Sequence, residues 1–123
     1  MRDICGIGHI TREKIITTKS EVYMASGTSF YMSRGMSCLP HDVSYQLVTK
    51  VGQGQLPEVD KLREAGIDTI CYPSRHTVYF ENKYGGDTNK RTQRVLAKAD
   101  PFTIEEMRRI LLKHLGPLAE PVR

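Results

Sequence analysis

The sequence predicts an α/β fold in which a parallel sheet is interrupted by two β-hairpins that lie outside it. Two observations point there. Short β-branched runs ending in glycine alternate with helical patterns, the order that builds a parallel sheet through right-handed crossovers. Two other segments read as strand–turn–strand with small polar turns, and tight hairpins join antiparallel strands only. A length of 123 residues fits one domain.

Residues 3–10, with Ile4, Ile7 and Ile10 and glycines at 6 and 8, predict a short, mostly buried first strand. Residues 14–18 and 21–24 predict a hairpin turning at Lys19-Ser20. Ser26-Gly27-Thr28-Ser29 is a small polar turn leading into a helix, on which Phe30, Met32 or Ser33, Met36 and Leu39 recur until Pro40 stops it. Residues 45–52 form the next β-branched run. Residues 57–65 follow as a helix, with proline at its start and Gly66 just past its end. Residues 67–72 return as a strand. Residues 76–84 and 90–97 predict the second hairpin, turning through Gly85-Gly86-Asp87-Thr88-Asn89. A last helix starts with Thr103 as N-cap and Glu106 at the third position, shows a face of Met107, Ile110, Leu111 and His114, and runs to Gly116-Pro117. Residues 118–123 carry no signal of their own.

Composition excludes several classes. At 39% AVILMFWYC the chain can build a core, though a modest one, and no apolar run approaches the roughly 18–20 residues that cross a bilayer. The first residues lack the apolar stretch of a signal peptide, so the expected compartment is the cytoplasm. Eighteen Lys plus Arg against 14 Asp plus Glu leave a net charge of +4, spread along the chain, which argues only weakly for nucleic acid. Cys5, Cys38 and Cys71 form no C-x-x-C and read as reduced thiols packed as small hydrophobes.

Three places could carry chemistry. The small residues around Ser26, Gly27 and Thr28 leave backbone N–H groups accessible at a helix head, where they could meet oxyanions or sugar hydroxyls, or simply cap the helix. Gly8 is followed five residues on by Glu13, a carboxylate expected just past a strand end, in the crevice of an open sheet; the alternative is a solvated pair with Arg12 or Lys14. His9, with no second His or Cys nearby, reads as a packed or capping residue. On the return strand of the second hairpin, alternation puts Arg91 and Gln93 on one face and Lys90, Thr92 and Arg94 on the other. That ribbon could contact an anionic or polyhydroxyl ligand, or single-stranded nucleic acid with Tyr79, Phe80 and Tyr84 as stacking groups. Solvated edge charges that prevent aggregation explain it most simply. No triad, P-loop, zinc pattern or G-x-G-x-x-G is present.

Taken in order, these segments resemble the N-terminal part of the ribokinase-like (PfkB) family of carbohydrate kinases, over nearly the whole chain. Gly8 followed by Glu13 resembles the family's first strand with its substrate-binding acidic residue, and Ser26-Gly27-Thr28-Ser29-Phe30-Tyr31 its Gly-Gly sugar-binding signature. Residues 47–52, 62–69 and 77–80 are similar to the segments that follow. The sequence departs from the pattern at Glu13, where the family has Asp, at Ser26 in place of the first glycine, and at Tyr31 in place of an Asn.

The resemblance implies one partial ribokinase-like domain over residues 1–123: a parallel three-layer α/β sheet with a protruding hairpin lid made of residues 13–24 and 76–98. It implies substrate-binding roles for Glu13, Ser26, Gly27 and Thr28, with Arg91 and Gln93 reaching from the lid. The implied partners are a sugar or sugar acid and a second copy of the chain, paired through the lid hairpins or the exposed sheet edge, with neither membrane nor nucleic acid. In complete members ATP and Mg serve the reaction, but the nucleotide site and catalytic Asp lie in a C-terminal half that these residues do not resemble. No catalytic residue, cofactor site or metal site is therefore expected in this chain, and no kinase activity from it alone. A small dimeric interaction module without catalysis is the alternative.

Overall fold

The computed structural model describes residues 3–39, 43–87 and 90–115, with residues 114 and 115 by backbone alone. The expectations for Pro40, Thr88, Asn89, the His114 side chain, Gly116-Pro117 and the tail lie outside the described residues. Strands β1 (Ile4–Ile7), β4 (Tyr45–Val51) and β5 (Asp68–Pro73) form a parallel sheet in the order β1-β4-β5. Strands β2 (Thr11–Ile16), β3 (Glu21–Ser26), β6 (Val78–Tyr84) and β7 (Arg91–Ala97) form a second sheet, ordered β3-β2-β6-β7. Helices α1 (Thr28–Met36), α2 (Leu56–Glu64) and α3 (Ile104–Leu115) complete the chain.

Both predicted hairpins form, and a parallel β2–β6 ladder joins them into one sheet, pairing Thr11 with Val78 and Glu13 with Phe80. The first hairpin is longer than the sequence suggests. It begins at Thr11 and ends at Ser26, so Ser26 belongs to a strand rather than to the turn.

Alternation along β4 divides the parallel sheet's two faces. Leu47 and Val51 face the core, built with Ile10, Ala25, Val59, Leu62 and Ile67. Lys50 faces the other way, toward α3, and is buried. Helices therefore cover both faces, the arrangement that parallel sheets require.

The helix ends follow their local chemistry. α2 closes with Gly66 at φ 89°, its N–H donating to Arg63 O while Ile67 N–H donates to Leu62 O; this double bond is the Schellman stop, and Ile67 packs in the core beside Leu62. α3 opens with a reciprocal box in which Thr103 N–H donates to Glu106 Oε1 at 2.8 Å and Glu106 N–H donates to Thr103 Oγ1 at 3.1 Å. Of the thiols, Cys5 and Cys71 are half-buried and burial pushes both up from the usual thiol range, whereas Cys38 is exposed and does not pack as expected.

Lys50 is the unusual core residue, a cation in the middle of a parallel sheet. Its Nζ donates to Glu106 Oε1 at 2.7 Å and to Pro101 O at 2.9 Å, and lies over the Phe102 ring. The Lys50 hydrogen bond is the main reason the Glu106 carboxyl sits below its ordinary value of 4.5. Removing one member of such a pair strands the other, so Lys50→Met is expected to lower stability by about 3 kcal/mol in urea unfolding. A lowered folded value means that Glu106 contributes stability above the ordinary value and loses it as pH falls through the folded one. Stability should therefore decline on acidification below about pH 4.5, and more shallowly in Glu106→Gln, as followed by melting temperature against pH.

Candidate functional site

The two sheets meet where the chain leaves β1. Gly8 N–H extends the β1–β4 ladder by donating to Val48 O at 3.0 Å, and a Cβ on Gly8 would lie 2.1 Å from Ser29 Oγ, so the head of α1 rests directly on the strand end. His9 is turned aside, its Nε2 2.9 Å from Asp100 O and its ring against Phe102. Ile10 is fully buried and its N–H donates to Thr49 Oγ1 at 3.0 Å. Thr11 then begins β2, directly opposite Ser26.

Gly27 closes this seam. It stands between β3 and α1 at φ 97° and ψ 156°, a conformation open essentially to glycine alone, and a Cβ there would lie 3.1 Å from the Thr11 side chain. Its carbonyl accepts the first bond of α1 from Tyr31 N–H. The N–H groups of the opening turn have no acceptor within the helix.

Glu13 sits one pleat beyond Thr11 on the same face. The expectation of a carboxylate just past a strand end of the parallel sheet is corrected: Glu13 lies inside β2, because Ile10 is consumed by the core and the new strand starts immediately after it. It pairs with neither Arg12 nor Lys14. Its Oε1 accepts a short hydrogen bond from Asn82 Nδ2 on β6. Alternation turns Arg12 and Lys14 to the opposite face, where Arg12 is stacked between the Tyr23 and Tyr79 rings at 4.9 and 4.7 Å, and Lys14 bonds Glu21 at 2.8 Å. That hydrogen bond raises Lys14 and lowers Glu21 from their ordinary values.

The structure thus brings Glu13, Ser26, Gly27 and Thr28 to one junction, Ser26 buried at the end of β3 and Thr28 exposed as the first residue of α1. Gln93 reaches it less closely, as the register partner of Asn82, and Arg91 lies one pleat further out, opposite Tyr84. Arg94, on the other face, bonds Glu81. The aromatic ribbon for nucleic acid does not form, since Tyr79 faces Arg12 on the side opposite to Phe80 and Tyr84. Sequence reasoning missed Asn82. Its signal was an asparagine in the middle of an otherwise β-branched and aromatic strand, where that residue is disfavoured.

On the Arg12 side of the second sheet a cleft of about 320 Å³ is lined by Arg12, Gly52, Gln55, His76 and Tyr79. Glu13 does not line it. Among the described residues no cluster of His, Cys, Asp or Glu could hold a metal ion.

No family model matches the sequence, and no curated protein does. Solved structures do match. A pyrophosphate-dependent kinase in the ribokinase family, complexed with a pyrophosphate analog and myo-inositol, is 24% identical with a TM-score of 0.68, over 85% of this chain and 35% of that one. The nucleoside kinase of Methanocaldococcus jannaschii, an archaeal member of the ribokinase family, is 18% identical with a TM-score of 0.65, over 78% and 37%. The Burkholderia thailandensis nucleoside kinase in complex with inosine is 12% identical with a TM-score of 0.61, over 75% and 35%. The chain has the fold of the N-terminal part of ribokinase-family kinases and spans little more than a third of their length.

The seam geometry makes a direct test. Gly27→Ala should lower stability by about 2 kcal/mol through backbone strain. Gly35→Ala, in a helical position with nothing near its Cβ, should be neutral or slightly stabilising. Equal effects in thermal unfolding would show that the Gly27 conformation is not required.

Proposed function

We propose that this chain is the substrate-binding and lid portion of a ribokinase-like carbohydrate kinase, an enzyme that in complete form transfers phosphate from ATP to a sugar hydroxyl. The observation that carries the reading is the junction itself. A carboxylate on the second sheet, Glu13, shares a face with the Ser26-Gly27 seam, at the carboxyl end of β1 where open α/β sheets bind ligands. Glu13 accepts hydrogen bonds from ligand hydroxyls, and the N–H groups at the head of α1 donate to the oxygens of the same hydroxyls. Gly27, through its φ of 97°, sets the head of α1 beside the end of β3. Gln93 and Arg91 complete the site from the lid.

Phosphoryl transfer also needs a base and charge stabilisation at the γ-phosphate. Asp100 cannot serve as that base, because it receives the Arg75 N–H at 2.9 Å and its guanidinium at 3.2 Å. Glu81 and Glu106 are likewise occupied by cations. Among the described residues no cluster of carboxylates could hold Mg beside a nucleotide, and on this reading the chain by itself binds substrate and does not turn it over.

A second reading, association between copies, is favoured by apolar side chains left bare on the lid: Val22 is 48% exposed, Val95 51% and Leu96 41%. Pairing through the hairpins would cover them, and pairing along the open edge of β1 would instead cover that edge.

Binding to the native state raises its melting temperature. Thermal shift with millimolar sugars, polyols and nucleosides should show a rise for one class and none for ATP, and Glu13→Ala should abolish it. A rise with ATP alone, or a sugar response unchanged in Glu13→Ala, would refute the assignment.

A further inference from the structure

The cleft on the Arg12 face of the second sheet plays no part in the substrate junction, and Arg12 is its most unusual wall. The guanidinium lies 4.9 Å from the centre of the Tyr23 ring and 4.7 Å from that of Tyr79. Ring faces satisfy its charge but not the fork of N–H donors that points outward in its own plane. Among the described residues no oxygen accepts from that fork. Two other cations of the same face differ: Lys14 ends on Glu21 at 2.8 Å and Arg94 on Glu81 at 3.0 Å. An arginine held between two rings has already lost the side-chain freedom that binding an anion would otherwise remove.

Two hollows adjoin at this side chain. In the cleft of about 320 Å³, Arg12 and Tyr79 belong to the second sheet, whereas Gly52 and Gly54 belong to the segment that follows β4, so the space lies between the two sheets. Arg75 and His76 also line it, and no carboxylate does. Arg75 keeps Asp100 as its partner at 3.2 Å, which leaves Arg12 as the lining guanidinium without a carboxylate. The floor is fixed: Gly52 N–H donates to Thr77 Oγ1 at 2.8 Å, and a Cβ on Gly52 would lie 3.1 Å from the backbone of His76 and Thr77. The neighbouring hollow, of about 300 Å³, is lined by Arg12, Tyr23 and Glu58, and the Glu58 carboxylate turns an anion toward the first.

We propose that the 320 Å³ cleft is a binding site for a small oxyanion, a phosphate or carboxylate group received by the Arg12 fork, on the face of the second sheet opposite Glu13. Two parallel N–H···O bonds form at the edge of the guanidinium while the tyrosines hold its faces. A ligand so held touches both sheets at once. The site shares no residue with the substrate junction and does not depend on the substrate-portion reading.

The test is calorimetric titration of the chain at low ionic strength with inorganic phosphate and with succinate, each against chloride of equal ionic strength. At least one should bind above the chloride control: phosphate alone marks a phosphate-ester ligand, succinate alone a carboxylate ligand, and both a pocket for either group. Arg12→Met should weaken that binding at least about tenfold, the weight of hydrogen bonds to a charged group. Arg109→Met, which removes the same charge from α3, should change it less than twofold. Neither anion binding above chloride, Arg12→Met binding within twofold of wild type, or Arg109→Met losing as much as Arg12→Met would each overturn the proposal. Should Arg12→Met fail to fold, the Arg12 Nε–H resonance of the wild type decides: it must shift on saturation with the anion that binds, and an unmoved resonance overturns the proposal.

Discussion

The arrangement depends on one buried step, the passage of the chain through Ile10. A strand leaving one sheet for another exposes a backbone N–H between two ladders, and a buried N–H needs a partner. Thr49, in the middle of the central strand, supplies it from its side chain, and the Ile10 side chain fills the core on the same step. Three residues separate the last of β1 from the first of β2, too few for a flexible hinge. The second sheet is therefore placed over the first by packing, and the two close approaches beside the step, Ser29 against Gly8 and Thr11 against Gly27, leave no room for the sheets to slide.

A second fastening acts from the far side. The segment linking β7 to α3 is tied to the parallel sheet by His9 on Asp100 O and by Lys50 on Pro101 O and Glu106. Burying an ammonium is costly, and the cost is offset only because a carboxylate, a carbonyl and an aromatic face meet it together. Glu106 serves two elements at once, closing the α3 box and neutralising Lys50, so the start of the helix and its docking are one event. The second sheet is thus held at both of its chain ends.

What the sequence disclosed is what neighbours along the chain decide. The two hairpins, the Gly66 stop and the Thr103–Glu106 box are settled within a few residues, and each was legible from turn and cap chemistry. The β2–β6 ladder pairs residues 67 positions apart, and no local pattern announces it. The same holds for Glu13 and Asn82, and for Lys50, whose partners lie about 50 residues on. Glu13, Ser26, Gly27 and Thr28 stand out locally only as a lone glutamate and a small-residue turn, and a shared role for them is implied by the resemblance alone. Alternation correctly separated Gln93 from Arg94, and applied to β6 it would also have separated Tyr79 from Phe80.

The two faces of the second sheet are unequal in charge. On one, Arg12 is absorbed by two tyrosine rings, and Lys14, Glu21, Glu81 and Arg94 neutralise one another across all four strands. Around Lys14 and Arg94 that face is electrostatically closed, because an incoming ion would have to displace an existing partner. On the other, Glu13 has an uncharged amide beside it and no ion pair among the described residues. A pleated strand reverses side every residue, and Arg12-Glu13-Lys14 sorts its signs accordingly: cations to the side that holds the lid together, the carboxylate to the side that overlooks the seam. Adjacent residues of one strand face opposite sides in any register, so Glu13 can pair with neither neighbour, and the anchoring of Ile10 in the core fixes which side each takes. The availability of Glu13 is thus a consequence of the same buried step that places the sheet.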